Sequence, residues 1–333
     1  MYYFCTYFDH RYLSRGLALY RSLRRHCPSF RLWVLCMDRK CYEVLSQLSL
    51  ADIYLIALED FERGDHELLR ARQNRSLIEY YFTCTPSLVL FILNNWPEVD
   101  LITYLDADLF FFAEPAPIYD EIAGHSIAII EHRFPPHLRD RERYGIYNIG
   151  WLSFKCDEFA RNSLLWWRER CIEWCYDRVE DGRFADQKYL DDWPARFQSV
   201  VVLQHKGANL APWNLANYTI RTNGNFLLVD EDPLIFFHFH GLERISKLIF
   251  DPDLSNYKVT LSRVVRRSIY LPYIHTLLNV SKKVSPFFEK ASLQSSIRGE
   301  KRRSRAHHRV TRLRRMCKGV LNGKLLLVFN IGE

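Results

Sequence analysis

Asp100-Leu-Ile-Thr-Tyr-Leu-Asp106-Ala107-Asp108-Leu-Phe-Phe-Phe112 is the stretch on which the reading of this chain turns. An apolar strand runs into two carboxylates spaced i, i+2, which points both to one side where the strand ends. Two hard oxygen ligands with open positions left over suit Mn²⁺ or Mg²⁺ holding a diphosphate. In an α/β sheet, ligands gather at the carboxyl ends of the strands, where this pair lies. A bare Asp-x-Asp occurs in many chains, so its meaning rests on what flanks it.

Upstream, residues 2–8 and 31–37 read as buried strands, with Leu13, Gly16, Leu17, Tyr20 and Leu23 at helical spacing between them and Pro28 closing the segment. That is a β-α-β unit, expected to be parallel and right-handed. Residues 51–58 form another short strand, and residues 77–93 a helix interrupted near Pro86. Downstream, residues 126–130 and 148–154 read as neighbouring strands. A helix is expected over 158–180, with Leu164, Trp167, Cys171, Trp174, Cys175 and Val179 on one face and Asp181-Gly182 as its stop. Residues 200–203 and 234–239 are late strands. The sum is a mixed α/β domain over 1–250, followed by a basic extension over 251–333.

The composition fits one large core: 333 residues, 48% apolar, 15% aromatic with eight Trp. Most of those aromatics are expected in the core, and some in a site wall. No apolar run approaches the ~20 residues of a membrane span. The opening Met-Tyr-Tyr-Phe-Cys-Thr-Tyr-Phe reads as a first strand rather than a signal peptide. Nine irregularly placed Cys suggest reduced thiols in a cytoplasmic protein. Cys171 and Cys175 lie one helical turn apart, but no second Cys/His pair at zinc-site spacing accompanies them, so buried thiols are expected. The net charge of +7 conceals an asymmetry: residues 262–318 hold 16 Lys/Arg against 2 Asp/Glu, and the remainder holds 30 against 37. An acidic body with a basic tail is two devices. Such a tail attracts anionic membrane or nucleic acid. With no RNA-binding signature or aromatic platform present, membrane is the expected partner, ahead of a solvated disordered tail, and nucleic acid is not.

Phe236-Phe-His238-Phe-His240-Gly241 carries two His that face the same way in a strand, and neutral imidazole is a good third ligand for Mn²⁺. Two ordinary hydrogen-bonded histidines at a strand end would look the same. The loop Glu131-His-Arg-Phe-Pro-Pro-His137, with Arg139, Arg141 and Arg143 after it, either reaches a diphosphate or anionic acceptor or is a solvated surface loop. Gly207-Ala-Asn-Leu-Ala-Pro-Trp213-Asn214 reads as a site-lining loop, with Trp213 stacked on a sugar face or packed in the core.

Taken in order, Asp9 after the first strand, Asp106-x-Asp108, Asn148-x-Gly150, Asp186-Gln187, Trp213-Asn214 and His238-Phe-x-Gly241 resemble the retaining glycosyltransferases of family 8, which include glycogenin and the lipooligosaccharide galactosyltransferases. The resemblance covers about the first 245 residues and rests on the number and order of short motifs. It implies a GT-A (Rossmann-like) fold, a mixed and mostly parallel sheet flanked by helices, that binds a nucleotide-sugar, expected to be UDP-linked. It implies that Asp106, Asp108 and His238, with His240 as second choice, hold Mn²⁺ (or Mg²⁺) against the diphosphate. Asp9 would contact the nucleobase with Tyr7 beside it. Asn148 and Gly150 would lie near the donor sugar, as would Trp213 and Asn214. Asp186 would hydrogen-bond the transferred sugar's hydroxyls, and Gln187 would stand near the anomeric carbon. Asp9 and Asn148 are also ordinary turn or helix caps, and Asp186 an N-cap for 187–191.

After His238-Phe-His-Gly the family has a Lys-Pro-Trp run; here the chain reads Leu242-Glu-Arg-Ile-Ser-Lys247, so Lys247 or Arg244 is left to supply that charge. An inverting enzyme would need a carboxylate base, with Asp186, Asp191, Asp192 and Glu131 as candidates. The resulting expectation is a metal-dependent glycosyltransferase working on a glycan or lipid-linked acceptor in surface polysaccharide or lipopolysaccharide synthesis, peripheral to the inner membrane face through residues 262–318. The alternatives are a sugar nucleotidyltransferase, whose Gly-rich phosphate loop is missing from Thr6–Tyr12, and a non-catalytic glycan- or nucleotide-binding protein.

Overall fold

A computed structural model describes residues 1–295, apart from Asn225, and residues 324–328; side chains are described as far as Phe288 in the last helix. Strands β1 (Tyr2–Phe8), β2 (Phe30–Cys36), β3 (Ile53–Ala57), β4 (Leu101–Leu105), β6 (Ile127–Glu131), β7 (Tyr147–Lys155) and β8 (Val200–Leu203) form one sheet in the order β3-β2-β1-β4-β7-β6-β8. The pairs β1–β2, β1–β4, β2–β3 and β6–β8 are parallel, and β7 runs antiparallel to both its neighbours. The chain leaves β1 for β2 on one side and later returns to β4 on the other. The carboxyl ends of β1 and β4 therefore flank a switch point, the natural crevice of such a sheet.

Both faces of the sheet are buried because its side chains alternate between two cores. Phe4, Phe8, Leu32 and Val34 pack with helix α1 (Leu13–His26). Cys5, Trp33, Leu35 and Tyr104 pack on the other face against α5 (Leu77–Asn95) and α7 (Glu158–Glu173). Ser76 and Glu79 close a capping box at the start of α5. The helix continues through Pro86 without the interruption expected there, since that turn is held by burial of Thr83, Cys84, Thr85 and Ser87. By length and composition α5 is apolar enough to cross a membrane (mean hydropathy 1.3), yet 61% of that window is buried within the fold.

Short elements complete the frame. Helices α2 (Arg39–Leu48), α3 (Leu58–Phe61), α4 (His66–Gln73), α6 (Ala116–Ile122) and α8 (Trp193–Arg196) flank the sheet. Strands β9 (Ile220–Asn223), β10 (Phe226–Val229) and β11 (Asp232–Pro233) form a small antiparallel sheet. Strand β5 (Leu109–Phe111) pairs antiparallel with β12 (Phe236–His238), setting His238 opposite Leu109.

Two expectations change. The helix read as 158–180 ends at Glu173, where Trp174 turns extended at φ −151°, and Val179 is 46% exposed. Trp174 and Cys175 are still buried, but as part of a loop that runs down to the cleft. The second change concerns the tail. Val265, Ile269, Tyr270, Tyr273, Ile274 and Leu277 are buried with Phe110, Phe237 and Phe239 in a third core, and helix α9 (Leu271–Ser295) lies along α1 with Ser14 and Ser281 hydroxyls 3.0 Å apart. Residues 251–288 therefore belong to the body, so the boundary placed at 250 falls inside it. Strand β14 (Ile249–Asp251) pairs with β13 (Glu243–Arg244) and with β15 (Leu326–Leu327), so the chain returns to the body beyond the basic clusters. The basic clusters Lys301–Arg305 and Arg312–Arg315, and with them 10 of the 16 basic residues of the expected membrane-binding segment, lie outside the described residues.

Candidate active site

Asp106 and Asp108 follow β4 on a tight turn, in which Leu109 N donates to Asp106 O and Asp106 N to Gly150 O. The β5–β12 pairing brings in His238 from 130 residues away, and Phe239 N donates to Asp108 O at 3.0 Å. The ligand atoms of Asp106, Asp108 and His238 lie within 4.8 Å of one another. His238 Nε2 is 3.1 Å from Asp108 Oδ1 and 3.6 Å from Asp106 Oδ2. Two carboxylates and an imidazole converging at one point fit a divalent cation, and the nitrogen donor favours Mn²⁺-like ions over Ca²⁺ or Mg²⁺.

The electrostatics follow from that convergence. Burial pushes Asp106 up, and the Asp108 charge adds to this against His238, leaving Asp106 at about 6. Asp108 is also pushed up by burial, but its contact with His238 outweighs this and brings it down to about 2. His238 is pulled down by burial and raised by more than that by Asp108 and Asp106.

Two cavities meet at this triad, and both are lined by Tyr7, Phe82, Asp106, His238 and His240. The larger, about 650 Å³, runs past Asp9, Arg11, Tyr12 and the start of α5 at Leu77, Ile78 and Tyr81. Its apolar side includes Tyr12, Leu77 and Ile78, which are 43%, 51% and 46% exposed. The other, about 490 Å³, is lined by Asp186, Gln187, Asn148, Arg141 and the aromatic rings of Phe134, Tyr144, Phe184, Trp213 and Tyr257.

The remaining expected residues fall into three groups. Tyr7, Asp186, Gln187, Asn148 and Trp213 reach the cleft. Tyr7 OH is 3.3 Å from Thr85 Oγ1, which donates to Asp186 Oδ2 at 2.8 Å. Burial raises Asp186 to about 7, against the Thr85 hydrogen bond and with help from the Asp106 charge. Gln187 donates through Nε2 to Tyr144 O, which leaves its carbonyl oxygen available. Asp9 is both wall and cap, because its Oδ1 accepts from Arg11 N and Tyr12 N while Oδ2 faces Tyr81 OH at 3.4 Å. Trp213 is 3% exposed and packs edge-on to His238 at 5.0 Å, so it buttresses the ligand histidine.

Asn214 and Lys247 take no place in the cleft wall. Asn214 is fully buried, its carbonyl accepting from Ala211 N and its amide donating to His132 O and Asn209 O. Lys247 is exposed in the turn between β13 and β14, and Arg244 caps that turn by donating to Lys247 O. Neither lines the cavities; the arginines that do are Arg11 and Arg141. Arg141 donates to Asn256 O and lies 4.8 Å over the Tyr257 ring. Arg133, from the same loop, is spent on the carbonyls of Leu203, His205 and Ala208. Cys171 and Cys175 are buried thiols, as expected, and burial followed by contact with Cys175 drives Cys171 well up.

Thr85, Tyr104 and Tyr81 have no role in the sequence reading, and His132 has one only as part of the loop 131–137, although each touches a site residue. Tyr104 OH donates to Asp106 Oδ1 at 2.9 Å. Its position, two residues before Asp106 on the same face of β4, was the one available signal.

No family model matches the sequence. The chain is 32% identical to the uncharacterized protein YfnD of Bacillus subtilis (strain 168) over 279 residues, 83% of this chain and 88% of that one. It is 32% identical to YfnF of the same organism over 251 residues, 73% and 82% of the two chains. Two solved structures of the galactosyltransferase LgtC share the fold. One, in complex with donor and acceptor sugar analogs, aligns at TM-score 0.50 and 16% identity over 72% of this chain and 87% of its own. The other, an active-site mutant, aligns at TM-score 0.51 and 15% identity over 79% and 99%. The fold is thus GT-A, with the mostly parallel sheet expected from the sequence.

Proposed function

Because the chain belongs to the family of YfnD and YfnF and has the GT-A fold, we propose that it is a metal-dependent glycosyltransferase that moves a sugar from a nucleotide-sugar to a glycan or lipid-linked acceptor. One observation carries this reading: Asp106, Asp108 and His238 converge where the two cavities meet, Asp106 and His238 lining both and Asp108 the larger. A diphosphate bound there would have its nucleoside on the Asp9, Tyr12 and Ile78 side and its sugar on the Asp186 side. A UDP-linked donor suits the first cavity, whose apolar wall and Asp9 carboxylate, set apart from the triad, match a flat base with one edge to recognise.

Asp106, Asp108 and His238 would hold a divalent ion, Mn²⁺ in our reading, which would supply positive charge to the phosphate oxygens of the departing nucleoside diphosphate. The chain's own residues do the rest. Tyr104 holds Asp106 in line, and Trp213 and Asn148 hold His238. Thr85 holds Asp186, which at about 7 can both donate to and accept from sugar hydroxyls near neutral pH. The aromatic rings of the smaller cavity offer faces for an acceptor sugar and exclude water. Arg141 and Arg11 supply positive charge in place of Lys247.

For the stereochemical course we take retention, with Gln187 beside the anomeric carbon. A specific observation favours a second reading. Asp186 at about 7 has the strength of a general base, as inversion requires. Of the other carboxylates weighed, Asp191 is tied to Ile146 N and Lys188, and Asp192 to Arg196. The anomeric configuration of the product, read by NMR, decides between the two.

The setting we propose is surface polysaccharide or lipopolysaccharide synthesis at the inner membrane face, supported by the 16 basic residues of 262–318. The test of the core reading is hydrolysis of a panel of UDP-, GDP-, dTDP- and CMP-sugars with and without Mn²⁺. Turnover by the wild type that Asp106→Ala abolishes is expected. Binding of a nucleotide-sugar without any turnover, or its formation from a nucleoside triphosphate and a sugar 1-phosphate with release of pyrophosphate, would favour one of the alternatives.

A further inference from the structure

Behind His238 runs a line of hydrogen bonds that the proposed chemistry does not use directly. His132 Nδ1 is 3.1 Å from Ile146 O, and His132 Nε2 is 3.3 Å from Asn148 Nδ2. Asn148 Oδ1 is 3.2 Å from His238 Nδ1 and 3.0 Å from Gly150 N, which donates to it. His132, Asn148 and His238 are 6%, 5% and 2% exposed, so water does not substitute for these partners.

Two backbone groups fix the polarity of this line from its ends. Gly150 N–H can only donate, so the Asn148 oxygen faces it and the amide nitrogen faces His132. Ile146 C=O can only accept, so His132 presents Nδ1–H to it and an Nε2 lone pair to Asn148. Both constraints agree, and the consequence falls on His238: Nδ1 carries the proton, donated to Asn148 Oδ1. Nε2 is then the nitrogen that faces Asp108 and Asp106: without an ion it donates a proton to Asp108 Oδ1, and with an ion in that place its lone pair is free to meet it. Reversing any member sets two donors or two acceptors face to face in a buried site.

The ring planes are held as well. His132 stacks on Phe134 at 4.7 Å and 8°, and Trp213 packs edge-on to both His132 and His238. Burial brings His132 down to about 3, so it stays neutral and keeps its one proton on Nδ1.

We infer that His132 is a positioning residue which, through Asn148, selects the His238 nitrogen that meets the metal. This rests on the metal reading of the triad. It does not need the ion to be present, since the polarity is built into the protein alone. Outer partners of a ligand histidine fix its tautomer and ring orientation, and losing one typically costs about 10–100-fold in metal affinity.

The test reads His tautomers and metal affinity separately. Long-range ¹H–¹⁵N correlation spectra of the metal-free protein are expected to show His132 protonated on Nδ1 alone and His238 carrying a proton on Nδ1. His132→Gln keeps an acceptor opposite Asn148 and is expected to preserve the His238 tautomer. His132→Phe removes it, and a His238 population protonated on Nε2 alone is expected with a Kd for Mn²⁺ raised about tenfold or more. An Nε2-protonated His132 in the wild type overturns the inference without any variant. An unchanged His238 tautomer and a Mn²⁺ Kd within about twofold in His132→Phe would overturn it too. If the wild type binds no Mn²⁺ while both tautomers are as stated, the metal reading fails and the polarity stands.

Discussion

His238 Nε2 lies 3.1 Å from Asp108 Oδ1, a contact that both atoms would exchange for a shared cation. Asp108 is held at about 2 by that histidine, so its charge is available across the whole working pH range. Asp108→Asn preserves the side-chain volume and removes the charge. We expect the folded protein to survive and Mn²⁺-dependent turnover to fall by about 10²–10³-fold. Thermal denaturation and donor hydrolysis measured on the same preparation check the two halves. A variant that turns over at wild-type rate would remove Asp108 from the metal site.

Asp186 gives a pH signature. Its carboxyl sits at about 7 in the folded protein against 3.8 unfolded. Between those values the native state binds more protons than the unfolded state. Stability therefore falls as pH rises through this window and stays reduced above it. Asp186→Asn cannot ionise, and its carbonyl still accepts from Thr85. In chelator at pH 8 the variant is expected to be more stable than the wild type, by about 4 kcal/mol at most, with the difference vanishing near pH 4. Paired thermal melts across that range check it; an Asn variant less stable at every pH contradicts the assignment.

Gly150 is required for space rather than for flexibility. A Cβ there would come within 2.6 Å of Asn148 Oδ1 and 2.8 Å of His238 Nδ1. Gly150→Ala must therefore push apart the pair that orients the ligand histidine. A stability loss of about 1–3 kcal/mol is expected from overpacking, with a tenfold or larger rise in the Mn²⁺ Kd. Denaturant titration and electron paramagnetic resonance of added Mn²⁺ read the two effects. Loss of stability with unchanged Mn²⁺ affinity would show that the clash is absorbed elsewhere.

The two cavities are expected to separate donor from acceptor. Ile78 is 46% exposed on the wall of the larger one, so Ile78→Asp should fold. Placing a carboxylate beside a nucleoside diphosphate should weaken its binding by about tenfold. Phe184 lines the smaller cavity with its ring 4.9 Å from Tyr144. Phe184→Ala should raise the acceptor KM and leave nucleoside diphosphate affinity unchanged. Calorimetry with UDP and Mn²⁺ on both variants distinguishes them, and equal effects on both ligands would merge the cavities into one site.

How far this was legible in the sequence depends on the range of each signal. Asp106-x-Asp108 and His238 stood out because a short motif at a strand end carries its geometry with it. Asn148 was legible as a residue but not as a junction, since its partners His132 and His238 are set by strand pairing and by a break in β6–β7 register between Ala128 and Ile130. Lys247 misled because charge was matched by sequence order, whereas the β13–β14 turn carries it to the surface. The end of α7 misled because Trp174 and Cys175 are buried in both readings, and burial alone does not report helix. In the C-terminal region, Arg263, Arg266, Arg267, Lys282 and Lys283 concealed an apolar stripe: Val265, Ile269, Tyr273, Val280 and Val284 are buried while those basic groups face outward.

That stripe changes how membrane association must be tested. Truncation near residue 260 would remove Tyr270, Tyr273 and Ile274, each 0% exposed, and leave Phe237 and Phe239 facing water. Loss of several such side chains costs more than the 5–15 kcal/mol that holds a typical domain together. The truncated protein would aggregate and pellet with or without vesicles, giving a false positive for binding. Charge substitution avoids this. Replacing Lys301, Arg302, Arg303 and Arg305 with Gln leaves α9 and β15 in place. If these residues bind anionic lipid at about 1 kcal/mol each, the substituted protein should lose roughly 10²–10³-fold in partitioning to phosphatidylserine vesicles at low salt. Wild-type pelleting should fall steeply with added salt, and donor hydrolysis should be unaffected by the substitution. Equal pelleting of the two proteins would assign the attraction elsewhere, with the described Arg263, Arg266 and Arg267 the next group to neutralise.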